Sequence, residues 1–294
     1  MELYSRLSDL TPAVVDVLYN IQGPVPQAEP VFVFLVGAPG SGKTSGHGQA
    51  IEAGIIPPGN YATINIDVLL ESLLPFRSAS ATAAAAAPMR FSTIGAYTSR
   101  KEDLGLFKWV DKASPLTDLE APNTLIEINE AALQRAIDRR IPIVYETTLY
   151  LSKEGRVSKI DALMRTLKTT PYRIVFYHIR GEPAEIAMRL HSRQQATAKA
   201  DPPFVRTVPT SIEAVTEMVN QNQRAFEVLR KKYKKRAHFE DTENPFLLSA
   251  SPSNRGHSNR SSNSNRRTSS LYISPTSSEE RTKQRRHRST VRNK

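Results

Sequence analysis

The chain has 294 residues, enough for one large domain or two small ones, and contains no cysteine, which excludes disulfides, thiolate catalysis and cysteine-bound zinc. Its formal net charge of +11 is lopsided: residues 251–294 hold nine arginines and two lysines against Glu279 and Glu280, leaving only +2 for the first 250 residues. A folded part that is basic throughout is thereby excluded, and so is a membrane span, since no apolar run approaches the necessary length.

In chain order, MELYSRLSDL lacks the apolar segment of a signal peptide, so an intracellular, cytoplasmic protein is expected, with nuclear entry left open by the basic tail. TPAVVDVLYNI predicts a short helix with Thr11 as N-cap and Pro12 at its first position, followed by a proline-containing link. Val31 to Val36 is an apolar run suited to a central parallel strand. It enters the loop GAPGSGKTS, and a helix is expected to start near Lys43. PPGN makes a turn, and YATINID reads as a second strand closed by Asp67, with a helix from Val68. Residues 72–124 carry an alanine run and read as mainly helical cover over a site.

Helical periodicity returns in NTLIEINEAALQRAIDRR, and IPIVYETTLY is a buried strand with a polar end. IDALMRTLKTT is a helix, YRIVFYHIR a strand, and EPAEIAMRLHSRQQ and SIEAVTEMVNQNQRAFEVLRKKYKK are long helices. Met188 and Met218 fall among their apolar positions and are read as core, and AHFED is a last strand. Strands alternating with helices predict an α/β fold of three layers with a mostly parallel sheet. The organisation is a leading helix and linker over 1–29, a domain over 30–245, and a disordered Arg/Ser-rich tail over 250–294.

The loop matches G-x-x-x-x-G-K-[ST] at Gly37, Gly42, Lys43 and Thr44. Its glycines let successive backbone N–H groups converge on phosphate oxygens, and the helix behind adds its positive end. Gly37, Ala38, Pro39, Gly40, Ser41, Gly42, Lys43, Thr44 and Ser45 are therefore the candidate nucleotide-binding residues, with Lys43 reaching the β- and γ-phosphates of ATP or GTP and Thr44 holding Mg²⁺. Asp67 and Glu146, with Thr147 and Thr148, close strands and should share this loop's rim, because ligands in open parallel sheets bind beyond the carboxyl ends of the strands. A carboxylate there can accept the proton of an attacking hydroxyl or help to hold Mg²⁺. The plainer alternatives are an N-cap for Asp67 and a capping role for Glu146. The six histidines show no metal-ligand spacing.

These residues together resemble the zeta-toxin family of P-loop kinases, relatives of chloramphenicol phosphotransferase. The resemblance runs over roughly residues 30–240: GAPGSGKTS matches the family loop, INID supplies the aspartate, and INEAALQRAIDRRIPIVYETT supplies Glu130, then Glu146 sixteen residues on, with Thr148. SRQQATAKADPPFVRTVP supplies Arg193 and Arg206 thirteen residues apart, closed by Pro209. The sequence departs from the family at Thr147, Leu149 and Tyr150, and residues 68–120 do not align. The resemblance implies a P-loop kinase fold with Asp67 as base, Lys43, Arg193 and Arg206 neutralising the transferring group, and Glu130, Glu146 and Thr148 binding an acceptor such as UDP-N-acetylglucosamine.

Three readings stay open. The first is a small-molecule kinase; the second a kinase of nucleic-acid ends, aided by the tail; the third a non-catalytic nucleotide-binding protein. The tail itself fits a nucleic acid or another acidic partner, an import signal, phosphorylation, or a passive solvated segment. The sequence names no antitoxin partner.

Overall fold

The computed structural model describes residues 3–74, 77, 125–152, 154–198 and 211–243, all within one compact unit, Met1–Ser251. Five strands form one parallel sheet: β1 (Val31–Val36), β2 (Ala62–Ile64), β3 (Ile143–Thr147), β4 (Arg173–Arg180) and β5 (His238–Glu243), in the order β2-β3-β1-β4-β5. Seven α-helices accompany them among the described residues: α1 (Pro12–Leu18), α2 (Lys43–Glu52), α3 (Ile66–Ser72), α4 (Leu125–Asp138), α5 (Ser158–Thr166), α6 (Pro183–Ala198) and α7 (Ile212–Tyr233). The expected parallel α/β class is the one observed.

Local chemistry accounts for the boundaries. Thr11 caps α1, its hydroxyl accepting the Val14 N–H at 3.4 Å, with Pro12 at the first helical position, where a missing N–H costs nothing. β1 is wholly buried and sits centrally, in register with β3 (Leu35 beside Glu146) and β4 (Val36 beside His178). Its alternation divides the core. Phe32, Phe34 and Val36 join the cluster that includes Leu133 and Ile137 of α4 and Phe226 of α7, while Val33 and Leu35 join Ala50 of α2 and Ile56. Phe34, Phe176 and Phe239 stack across three adjacent strands, with ring centroids 4.4 and 4.7 Å apart. Helices on both faces are what a sheet buried on both sides needs.

Three expectations need correction. The second strand is Ala62–Ile64 and does not reach Asp67, because Asn65 ends it by capping α3: its side chain accepts the Asp67 N–H at 3.0 Å. The helix therefore starts at Ile66 instead of Val68, and Asp67 lies in its first turn, where a negative charge suits the helix dipole. Met188 is not core but 64% exposed, because α6 turns Ile186, Ala187 and Leu190 inward, whereas Met218 of α7 is buried as expected. The assigned cover over 72–124 falls mostly outside the described residues, as do Arg206 and the tail.

Candidate active site

The loop after β1 turns on two glycines in the left-handed region, Gly40 at φ +80° and Gly42 at φ +95°. Gly40 also lies against α6, where a Cβ would come within 2.9 Å of the Leu190 side chain. Gly42 directly precedes Lys43, the first residue of α2, so the free N–H groups of the ten-residue helix open onto the loop. The Lys43 ammonium curls back and donates to the Gly37 and Ala38 carbonyls at 2.8 and 3.2 Å. Ser41 is buried, Thr44 is exposed in the first helical turn, and Ser45 is half-buried.

A polyphosphate fits this cradle. Two glycines at the turn, a helix N-terminus and the Lys43 ammonium are the donor set that phosphate oxygens require. No group of three or more His, Cys, Asp or Glu able to hold a metal occurs among the described residues. Mg²⁺ takes one or two protein ligands and otherwise binds phosphate and water, and the Thr44 hydroxyl in the first turn of α2 is the side chain that would hold it.

Glu146, at the end of β3, is the junction of the rim. Its Oε1 lies 2.8 Å from His47 Nε2 on α2, and its Oε2 accepts from Asn65 Nδ2 at 2.9 Å. Behind it, His47 Nδ1 faces the Tyr61 hydroxyl at 3.4 Å. Asn65 uses its other side-chain atom to cap α3, so one residue joins Glu146 to the helix that bears Asp67. Thr148 donates to the Gly37 carbonyl at 3.2 Å, binding the end of β3 to the start of the loop. Glu146, Thr148 and the loop thus come together.

Asp67 is exposed at the start of α3, and its charge reaches Tyr150 on the segment after β3. Tyr150 is 43% exposed, yet its hydroxyl is pushed up, first by loss of hydration and then by that carboxylate. Glu130 sits exposed on α4 and takes no part in the bonds around Glu146, whereas its buried neighbour Asn129 accepts from the Tyr19 hydroxyl at 2.7 Å. Arg193 is exposed on α6. One turn earlier Arg189, half-buried, donates to the Gly40 carbonyl at 3.5 Å.

A second polar group supports the same rim. His178, buried at the end of β4, stands between Asp241 (3.1 Å) and Asn222 of α7 (3.0 Å), and Asn222 donates to the Leu149 carbonyl at 3.4 Å. Burial holds its pKa below 6.5, against the pull of Asp241.

Sequence reasoning missed His47, Asn65 and Asn129, and it weighed Arg189 beside Arg193 and Arg206 without placing it in the site. His47 carried a signal, since it lies four residues after Lys43 and hence on the same face of α2. Asn65 is a capping type between strand and helix, a further available clue.

The chain matches no family model and no curated protein. Among solved structures it is similar to a chain from the PezAT chromosomal toxin-antitoxin system of Streptococcus pneumoniae, with 13% identity, 83% of this chain and 81% of that chain covered, and a TM-score of 0.48. At that degree of likeness the chemistry of the site rests on the residues themselves.

Proposed function

We propose that this protein is a P-loop phosphotransferase that moves the γ-phosphoryl group of ATP or GTP to a hydroxyl of a small acceptor. The observation that carries the reading is the shared rim: a polyphosphate cradle headed by Lys43 lies beside Glu146, whose carboxylate is held by donors from two elements. An oriented carboxylate next to the cradle supports chemistry at this rim over nucleotide binding alone.

Phosphoryl transfer gains most from alignment and charge neutralisation and little from covalent help. The bound nucleotide would supply the phosphoryl group, with Mg²⁺ on Thr44 neutralising its oxygens. Lys43 exchanges the loop carbonyls for the β- and γ-phosphates, and Arg193 and Arg206 supply planar donors to the transferring group. Asp67, exposed and solvated in the first turn of α3, accepts the acceptor's proton, while Glu146, Thr148 and Glu130 hydrogen-bond the acceptor. A nucleotide-sugar such as UDP-N-acetylglucosamine is the first acceptor to try, on the strength of the sequence resemblance.

The test is nucleotide consumption by the full chain with nucleotide-sugars, nucleosides and short oligonucleotides, beside Lys43→Ala and Asp67→Ala. Turnover on one acceptor, lost in both variants, supports the proposal and names the acceptor class. Nucleotide binding without transfer to any of them counts against it.

A further inference from the structure

We infer that His47 is a positioning residue for Glu146, fixing the acceptor-side carboxylate from the helix that carries the nucleotide; the inference rests on the phosphotransferase reading. His47 lies one helical turn beyond Lys43, so the helix whose first turn meets phosphate presents an imidazole to the neighbouring strand from its second. Both partners are largely enclosed, His47 15% and Glu146 13% exposed. A carboxylate so enclosed needs donors on both oxygens, and His47 and Asn65 supply one each.

Chemistry assigns the proton. Glu146 only accepts when ionised, so His47 must carry its hydrogen on Nε2. In the neutral imidazole Nδ1 is then an acceptor, and the Tyr61 hydroxyl at 3.4 Å stands where it can donate to it. The carboxylate of Glu146 sets the tautomer, and the Tyr61 hydroxyl completes it by donating to the other ring nitrogen. Each remaining lone pair of Glu146 is directed by these two donors, so its bond to an acceptor is set before the acceptor arrives. Without His47 the carboxylate pivots about Asn65 alone.

The experiment has two parts, both on the full chain. Long-range ¹⁵N–¹H NMR at neutral pH reads the His47 tautomer. Calorimetry with a non-hydrolysable Mg²⁺–ATP analogue, and turnover with the acceptor found as above, are then compared for wild type, His47→Leu and His47→Gln. Gln carries its amide nitrogen the same number of bonds from the backbone as Nε2 of histidine and keeps the donor; Leu fills the space without one.

The expected result is an Nε2–H tautomer, a fall in kcat between about tenfold and a hundredfold in the Leu variant, and recovery to within about fivefold of wild type in the Gln variant. Analogue affinity should stay within about twofold, because a positioning defect at Glu146 leaves the phosphate cradle intact. An Nδ1–H tautomer, a Leu variant as fast as wild type, or a Gln variant no better than Leu would each overturn the inference. Wild type that fails to bind the analogue, or binds it and transfers to no acceptor, removes the phosphotransferase reading and the inference with it. That outcome is distinct because it appears before any substitution is made.

Discussion

The hydroxyl of Tyr19 meets the side-chain oxygen of Asn129 at 2.7 Å, joining residues 110 positions apart with both side chains buried. Tyr19 follows the last residue of α1, and its hydroxyl also lies 3.1 Å from the carbonyl of Asn65, the residue that caps α3 and holds Glu146. The leading segment is thus built into the floor of the site. Its phenol is held far above its ordinary pKa, first by burial and then by Tyr145 and Asp67, so it stays a donor at every working pH.

Tyr19→Phe should remove that donor while keeping the ring. Asn129 is then left with a buried oxygen unsatisfied, at a cost of about 1–3 kcal/mol. Urea unfolding should show a lower midpoint with an unchanged slope, and replacing Asn129 by Leu in the same chain should recover part of the loss.

Gly40 and Gly59 make a matched pair, with φ of +80° and +67°. A Cβ on Gly59 meets nothing within 4 Å, whereas one on Gly40 presses Leu190 and Ile186. Gly59→Ala should therefore cost about 1 kcal/mol of backbone strain and leave nucleotide affinity unchanged. Gly40→Ala should cost more and weaken affinity for the Mg²⁺–nucleotide at least about tenfold, since the loop must shift away from α6 to relieve the contact. Thermal melts and calorimetry on the two variants separate strain from crowding.

Arg189 holds the loop by its backbone, at the Gly40 carbonyl. Arg189→Ala should weaken Mg²⁺–nucleotide binding by about three- to tenfold, because a charged donor to a carbonyl that shapes the cradle is lost. Arg189→Lys should recover little, since a guanidinium's reach and planarity are not reproduced by an ammonium. Titration of a fluorescent nucleotide analogue measures both.

His178 predicts a pH dependence. Its pKa in the folded chain lies below 6.5, with burial the largest cause, while Asp241 and Asn222 act to raise it and Arg180, bonded to Asp241 at 2.9 Å, acts to lower it. The unfolded chain therefore binds the proton more readily. The stability His178 confers is complete above about pH 6.5 and is lost as pH falls through its lower folded value. Urea midpoints should decline between about pH 7 and pH 5, and His178→Gln should flatten that decline.

What could be read from the sequence was what a single segment determines. Val31–Val36 announced a buried strand by composition, the glycine and lysine spacing announced the cradle, and Thr11-Pro12 announced the start of α1. Asp67 was misplaced by three residues of strand because Asn65 and Asp67 are both capping types, and only the geometry decides which side chain closes on an N–H. Met188 was misread because α6 packs by a narrow inward stripe that an apolar residue can fall outside. The partners of Glu146 lie 99 and 81 residues away in the chain, and no local pattern carries such pairings.

The first twenty residues have a practical consequence. Tyr4 bridges in parallel to Leu73 at the far end of α3, and Tyr19 sits under its near end, so the leading segment clasps that helix at both termini. A chain trimmed to start at Pro30 would keep every residue of the phosphate loop and every strand of the sheet, yet it would take Leu7, Leu10, Val15, Tyr19 and Ile21 out of the core and release the helix that presents Asp67. Such a fragment should be less stable than the full chain and should lose the alignment of its second reactant first, which makes the amino-terminal segment a structural part of the acceptor half of the site.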